Sequence, residues 1–321
     1  MTPQRGRLLS GRVLLGALLA VILAVVLGQL QAQFARRPLP GPGVTPLPVG
    51  AVEPLPPGAV RVLAAGDIGR CGSLGADATG ALIRAIPDAS VLALGDLAYD
   101  SGTDADFRDC YDPAWGHARG RTLPVPGNHE YRSPGATGYF GYFGAAAGTP
   151  AVPWRAVDLG GWRVYLLDAE CSLTGACGDG RAQLAWLAED LASRPAACTL
   201  AALHRPRYSS GPHGPQGSAD GLWRVLAAGG VDVVVAAHDH LYERFARLDA
   251  EGRPSTDGTR SWVVGTGGGE LYPTGTPQPG SEASWDRAHG LLELILRPDG
   301  YDWRFRAAIG EPFEDTGSDT C

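Results

Sequence analysis

The sequence predicts an α/β domain built on mixed sheets. Short β-branched runs alternate with helical patterns through the first part of the domain, and the later runs follow one another as hairpins. A third observation concerns chemistry: five of the apolar runs end in Asp, Asn or His.

In chain order, the expected strands are residues 62–65, 91–94, 122–125, 164–167, 199–203 and 231–236. Residues 74–86 carry apolar side chains at helical spacing and stop before Pro87. Residues 179–191 form a second helix, with Leu184, Trp186, Leu187 and Leu191 on its face and Asp179 as a cap. A third helix, residues 220–228, is stopped by Gly229 and Gly230. Residues 262–265, 291–296 and 301–307 are antiparallel strands, and Pro298, Asp299 and Gly300 form the turn between the last two. Gly267, Gly268 and Gly269 make a flexible loop. They lack the spacing and the following helix of a dinucleotide fingerprint.

Three stretches divide the chain. Residues 1–35 are expected to be a signal peptide or an N-terminal membrane anchor: Arg5, Arg7 and Arg12 precede an almost wholly apolar run, residues 13–28. Residues 36–58 carry eight prolines and are expected to be an extended linker. Residues 59–321, about 260 residues, are long enough for one large core. Net charge is −7, and the first 37 residues hold five arginines and no acid, so the rest is more acidic still. Such a surface is a poor non-specific binder of nucleic acid. Six cysteines (Cys71, Cys110, Cys171, Cys177, Cys198 and Cys321) fit an exported protein with disulfides, and Cys171 and Cys177 are close enough to close a local loop. No Cys-x-x-Cys pair argues for zinc.

The five run ends read Gly66-Asp67-Ile68-Gly69, Gly95-Asp96-Leu97-Ala98-Tyr99, Gly127-Asn128-His129-Glu130, His204-Arg205-Pro206 and His238-Asp239-His240. Asn128 is the only asparagine in the chain. Each motif alone is weak, since Gly-Asp after a strand is commonly just a turn. Their conjunction is informative, because open α/β sheets gather ligands beyond the carboxyl ends of their strands.

This ordered set resembles the calcineurin-like metallophosphoesterases. Tyr99, Gly69 and the run Tyr242-Glu243-Arg244-Phe245 make it similar to the purple acid phosphatase branch. The resemblance covers roughly residues 60 to 310. It implies a four-layer α/β/β/α sandwich of two mixed sheets, with a dimetal site at the carboxyl ends of the strands. It also implies a metal-dependent phosphoric ester hydrolase, with Asp67, Asp96, Tyr99 and His240 on one metal. Asp96 would bridge to a second, completed by Asn128, His204 and His238. Carboxylate and phenolate suit Fe(III); imidazole and amide suit Zn, Fe(II) or Mn. One departure is Ala237, where the family usually has glycine; a positive φ there would strain alanine.

With the export features of the N-terminus and cysteines, the leading expectation is an exported phosphomonoesterase acting through metal-activated hydroxide. Two readings stand beside it: a phosphodiesterase or nucleotide hydrolase on the same site, and a non-catalytic cell-surface binding module. His129 would donate a proton to the leaving group or merely orient its neighbours. His213 would reach substrate or be a solvated loop histidine. Arg205 and Arg207 could contact phosphate or be surface charge. The expected partner is a phosphate ester, with membrane contact only through the N-terminal segment.

Overall fold

The β-branched runs of the sequence become the parallel centres of two sheets. The structure is a computed structural model that describes residues 46–175 and 180–321. In the first sheet, β1 (Val60–Ala65), β2 (Ser90–Leu94) and β3 (Thr122–Val125) pair in parallel. β11 (Ala288–Arg297) pairs antiparallel with β1, and β12 (Gly300–Gly310) and β13 (Thr316–Thr320) follow as a meander. The order is β13-β12-β11-β1-β2-β3. Pro124 is tolerated because β3 is an edge strand, where a missing N–H need not break the sheet.

The second sheet has β5 (Trp162–Leu166), β6 (Cys198–Ala202), β7 (Val233–Ala236) and β9 (Arg260–Val264) in parallel. Antiparallel β4 (Arg155–Leu159) closes one edge, and β8 (Tyr242–Phe245) with β10 (Ser281–Trp285) the other.

Alternation along this sheet defines the layers. Trp162, Val164, Leu166, Leu200, Ala202, Val233, Val235, Trp262 and Val264 share a core with the first sheet. The intervening Tyr165, Ala201, Val234, Ala236 and Val263 pack instead with Leu187, Leu222, Trp223 and Leu226. Those four lie on α2 (Arg181–Ser193) and α3 (Asp220–Ala228). The period of two thus buries both faces, one on a sheet and one on helices. On the other side, α1 (Leu74–Ala85) covers the first sheet, with Ser73 capping its N-terminus by accepting from Ala76 N–H at 3.2 Å. The α/β/β/α sandwich is therefore as expected.

Each predicted run is found within a few residues. Missed were β4, β8, β10 and β13, the short helical turns between Asp104 and Arg121, and the helix Thr137–Phe143. Residues 46–58 lie against β12 and its neighbours: Leu47 N–H donates to Ala308 O at 2.7 Å, and Arg306 donates to Ala51 O at 3.1 Å. Arg306 and Arg61 are buried and both reach Glu293, at 2.7 and 2.9 Å.

Among the described residues two disulfides are present, Cys71–Cys110 and Cys198–Cys321. The second closes a separation of 123 residues and ties the chain's last residue to the start of β6. Cross-links of this kind are typically worth about 2–4 kcal/mol. The expected Cys171–Cys177 link, the Asp179 cap and the N-terminal signal or anchor fall on residues outside those described. Among the described residues no helix is long and apolar enough to cross a membrane.

Candidate metal centre

The loops leaving β1, β2, β3, β6 and β7 carry the five motifs, and they converge at one end of the sandwich. Asp67, Asp96 and His238 all adopt left-handed backbone, φ 58°, 50° and 69°. For non-glycine residues this costs of order 1–3 kcal/mol each, and such strain gathers at functional sites. Gly127 shows why a glycine precedes Asn128: a Cβ there would lie 2.3 Å from both the Asp96 N and its Oδ1. Ala237 is not left-handed; the positive φ falls on His238 instead. The Ala237 methyl fills the space over Gly66, where a Cβ would stand 2.6 Å from it. Alanine is therefore accommodated without backbone strain.

The side chains form two adjoining donor groups. In the first, Asp67 Oδ1 lies 3.0 Å from the Tyr99 hydroxyl and 3.1 Å from His240 Nε2, and these two are 3.1 Å apart. In the second, Asp96, His204 and His238 offer ligand atoms that all lie within 4.8 Å of one another. His204 Nε2 is 3.3 Å from Asp96 Oδ2 and 3.2 Å from His238 Nδ1.

Two ring tautomers are set by backbone. His204 Nδ1–H donates to Leu94 O at 2.8 Å, and His240 Nδ1–H donates to Glu270 O at 2.6 Å. Carbonyls only accept, so each Nε2 is the free ligand nitrogen. Asn128 Oδ1 is buried without a hydrogen-bond partner. An orphaned amide oxygen is costly unless something binds it.

Electrostatics agree with a cation site. Burial opposes the Asp96 charge, yet His204 and His129 hold its carboxyl well below the usual range. Burial likewise opposes a charged His204, but Asp96 pushes it up to about 10. The attraction between the Asp96 carboxylate and His204 Nε2 marks the place a cation would take. Burial, then Asp67 and Asp96, push the Tyr99 phenol up, so only a highly charged cation would keep it ionised. Burial and the nearby His204 and Arg205 push His238 down, which keeps it a neutral ligand. The donor set therefore fits two metal ions. A cation on His238 Nδ1 puts the ring hydrogen on Nε2. Arg205, which now donates to that Nε2 at 2.9 Å, would then turn to Glu170 and Gln216 alone, its other partners at 2.6 and 3.1 Å.

His129 sits beside the pair. Its N–H donates to Asp96 Oδ1 at 2.8 Å and its Nδ1–H to Asp100 O at 2.7 Å, leaving Nε2 3.7 Å from Asp96 Oδ2. Burial pushes its pKa down. His213 is not simply a solvated loop residue. Its N–H and Nδ1–H both donate to Asp239 Oδ1, at 3.0 and 2.8 Å, and its ring lies 4.4 Å from that of His238. Arg207 pairs with Asp220, away from the centre. Of the histidines without motif context, His117 contacts Arg84, and His289 is buried beside Gly75.

Three roles escaped the sequence reading. Glu130 accepts from the N–H groups of Asp96, Leu97, Ala98 and Gly127, at 2.9, 2.8, 3.2 and 2.7 Å. It clamps the ends of β2 and β3 together, although burial and Asp96 push its carboxyl up to about 8. Asp239, fully buried, holds His213 and also accepts from Ser209. Tyr272 stacks on His240, ring centroids 4.0 Å apart at 7°. Glu130 and Asp239 stand inside the quoted motifs, which was the available signal.

A dimetal phosphoesterase architecture is the class that this fold and donor set define. Residues 60–242 match the family model for calcineurin-like phosphoesterases, and the chain belongs to that family. It is 30% identical over 171 residues to purple acid phosphatase 23 of Arabidopsis thaliana, covering 45% of this chain and 36% of that protein. Its fold is similar to that of purple acid phosphatase PPD1 from yellow lupin seeds, with TM-score 0.63 and 20% identity over 82% of this chain and 54% of the lupin chain. It is similar also to PhoD, with TM-score 0.58 and 14% identity over 85% of this chain and 70% of that one. The chain thus spans only about a third to a half of the two plant relatives.

Proposed function

We propose that the protein is an exported dimetal phosphomonoesterase, with Asp67, Asp96, Tyr99 and His240 on one metal and Asp96, Asn128, His204 and His238 on the other. The convergence of these side chains on one strand-end pocket, with the Asn128 oxygen left unpartnered, is the observation that supports it. When bound, the ions would activate water and neutralise charge on the phosphoryl oxygens. His129 holds its ring by Nδ1–H on the Asp100 carbonyl and keeps Nε2 for a proton handed to the departing oxygen. His213, held by Asp239 through Nδ1 with its ring beside that of His238, would offer Nε2 to a phosphoryl oxygen. Glu130 and Asp239 keep the loops in place.

Arg205 beside His238 and the ring nitrogens of His129 and His213 give the pocket several hydrogen-bonding groups, which suits the extra phosphoryl oxygen of a monoester over a diester. Phenyl phosphate is expected to be turned over at least about tenfold faster than diphenyl phosphate, as kcat/KM on metal-loaded protein. A reversed preference would make the protein a diesterase. No turnover of either, with both metals bound, would leave a binding module. Disulfides joining distant segments and the charge-flanked apolar N-terminus support export, through either a cleaved signal or an anchor.

Metal identity has its own readout. A phenolate on Fe(III) absorbs in the visible. Iron-loaded, oxidised protein is expected to be coloured, and Tyr99→Phe to lose the band while keeping much of its activity. Colourless iron-loaded protein would remove Tyr99 from the ligand set and favour Zn or Mn.

A further inference from the structure

Beyond the donor groups, the wall next to His129 carries two exposed arginines. Arg132 donates to the Asp100 carbonyl at 3.1 Å, the same oxygen that His129 Nδ1–H uses. No carboxylate pairs with it among the described residues. Arg70 lies over the Tyr99 ring, 5.6 Å from its centroid, and that ring in turn contacts His129 at 4.4 Å. Arg70 also pairs with Asp100 at 2.9 Å, with both side chains well exposed. Arg70, Arg132 and Asp100 together leave one net positive charge outside His129, on a chain of net charge −7. Arg205 contrasts with this: it stands beside His238, with its guanidinium already engaged by Glu170, Gln216 and that ring.

The position has a chemical consequence. A proton donor defines the side from which the leaving group departs. A leaving group departing on the His129 side would pass near Arg70 and Arg132, which both contact the Tyr99–Asp100 segment beside that ring. A neutral alcohol gains nothing from them. A leaving group with its own phosphate gains hydrogen bonds from planar guanidinium groups, whose donors match phosphate oxygens bidentately. Resting on the hydrolase reading above, we propose that Arg70 and Arg132 form an anion subsite for the leaving group, and that the preferred substrates carry a second phosphate on that side. In the reaction, water oxygen bonds to the terminal phosphorus, the P–O bond to the leaving group breaks, and the leaving phosphate takes the proton or departs as its anion.

The test compares ADP, inorganic pyrophosphate and phenyl phosphate on the metal-loaded full chain and on Arg70→Gln, Arg132→Gln and the double variant. The double variant is expected to lose about tenfold or more in kcat/KM for ADP and pyrophosphate, chiefly through KM, while phenyl phosphate changes less than about threefold. Arg132→Lys should recover part of the loss, because charge is restored without the planar fork. A loss confined to ADP would show that the nucleoside, not the phosphate, is what the wall reads, and would overturn the proposal. So would an equal fall for all three substrates, which marks a structural role, or no fall for any. If wild-type protein turns over phenyl phosphate but neither phosphorylated substrate, the subsite fails and the phosphatase reading stands. If phenyl phosphate is also inert, that reading fails too.

Discussion

Asp96→Ala is expected to abolish turnover and to lower the content of both metals. Asp96 is buried, its backbone is held left-handed, its Oδ1 accepts from His129 N–H, and its Oδ2 faces His204. Its loss removes the carboxylate that faces the buried His204 imidazole, leaving that ring its contacts with Leu94 O and His238. Breaking a buried charged pair from one side typically costs about 3–5 kcal/mol, so thermal unfolding must be measured with activity and metal content. Asp96→Asn, which keeps the volume, separates lost charge from lost packing. A folded Asp96→Ala protein with full metal and full turnover would remove Asp96 from the centre.

His129→Ala is expected to keep both metals and to lower kcat by roughly 10²–10⁴, the usual contribution of a general acid or base. The substitution is clean, because the backbone N–H that bonds Asp96 survives in alanine. The ring over Tyr99, its bond to the Asp100 carbonyl and its Nε2 contact with Asp96 are lost. Loss of metal instead would place His129 in the ligand set. Unchanged kcat would make it an orienter of the Tyr99–Asp100 segment.

The predicted strands were legible where local chemistry is strong. Residues 62–65, 91–94 and 233–236 are β-branched or aliphatic runs, and they are buried on both faces. The missed strands have weak local signals. β13, Thr316–Thr320, contains no large apolar residue; it is a strand because β12 pairs with it and Cys198 holds its end. β4 and β10 are edges of half-exposed residues, where alternation is blunted.

The ligand candidates were legible because chemistry limits which residues can hold a hard cation, and because strand ends are where such residues meet. Asp67, Asp96, Tyr99, Asn128, His204, His238 and His240 were read by type, by order and by their resemblance to the family, which also implied their grouping. The contacts that hold them were not legible. That Asp96 faces His204, that Leu94 and Glu270 carbonyls set the ring tautomers, and that Glu130 binds four amides depend on contacts spanning up to 110 residues.

His213 marks the boundary most sharply. In the sequence it is one histidine in a glycine-rich loop, open to either reading. The fold brings buried Asp239 to its Nδ1 and sets its ring beside His238. The amino-acid sequence by itself determined the α/β class, the strand ends and the residue types able to bind metal, because these follow from side-chain periodicity and donor chemistry along a few neighbouring residues. Only the tertiary structure decided which backbone groups orient the donors, which histidine is held in place and where the arginines stand. Those outcomes depend on loops from separate strands, packed to within hydrogen-bond distance by two sheets whose hydrophobic faces close on each other.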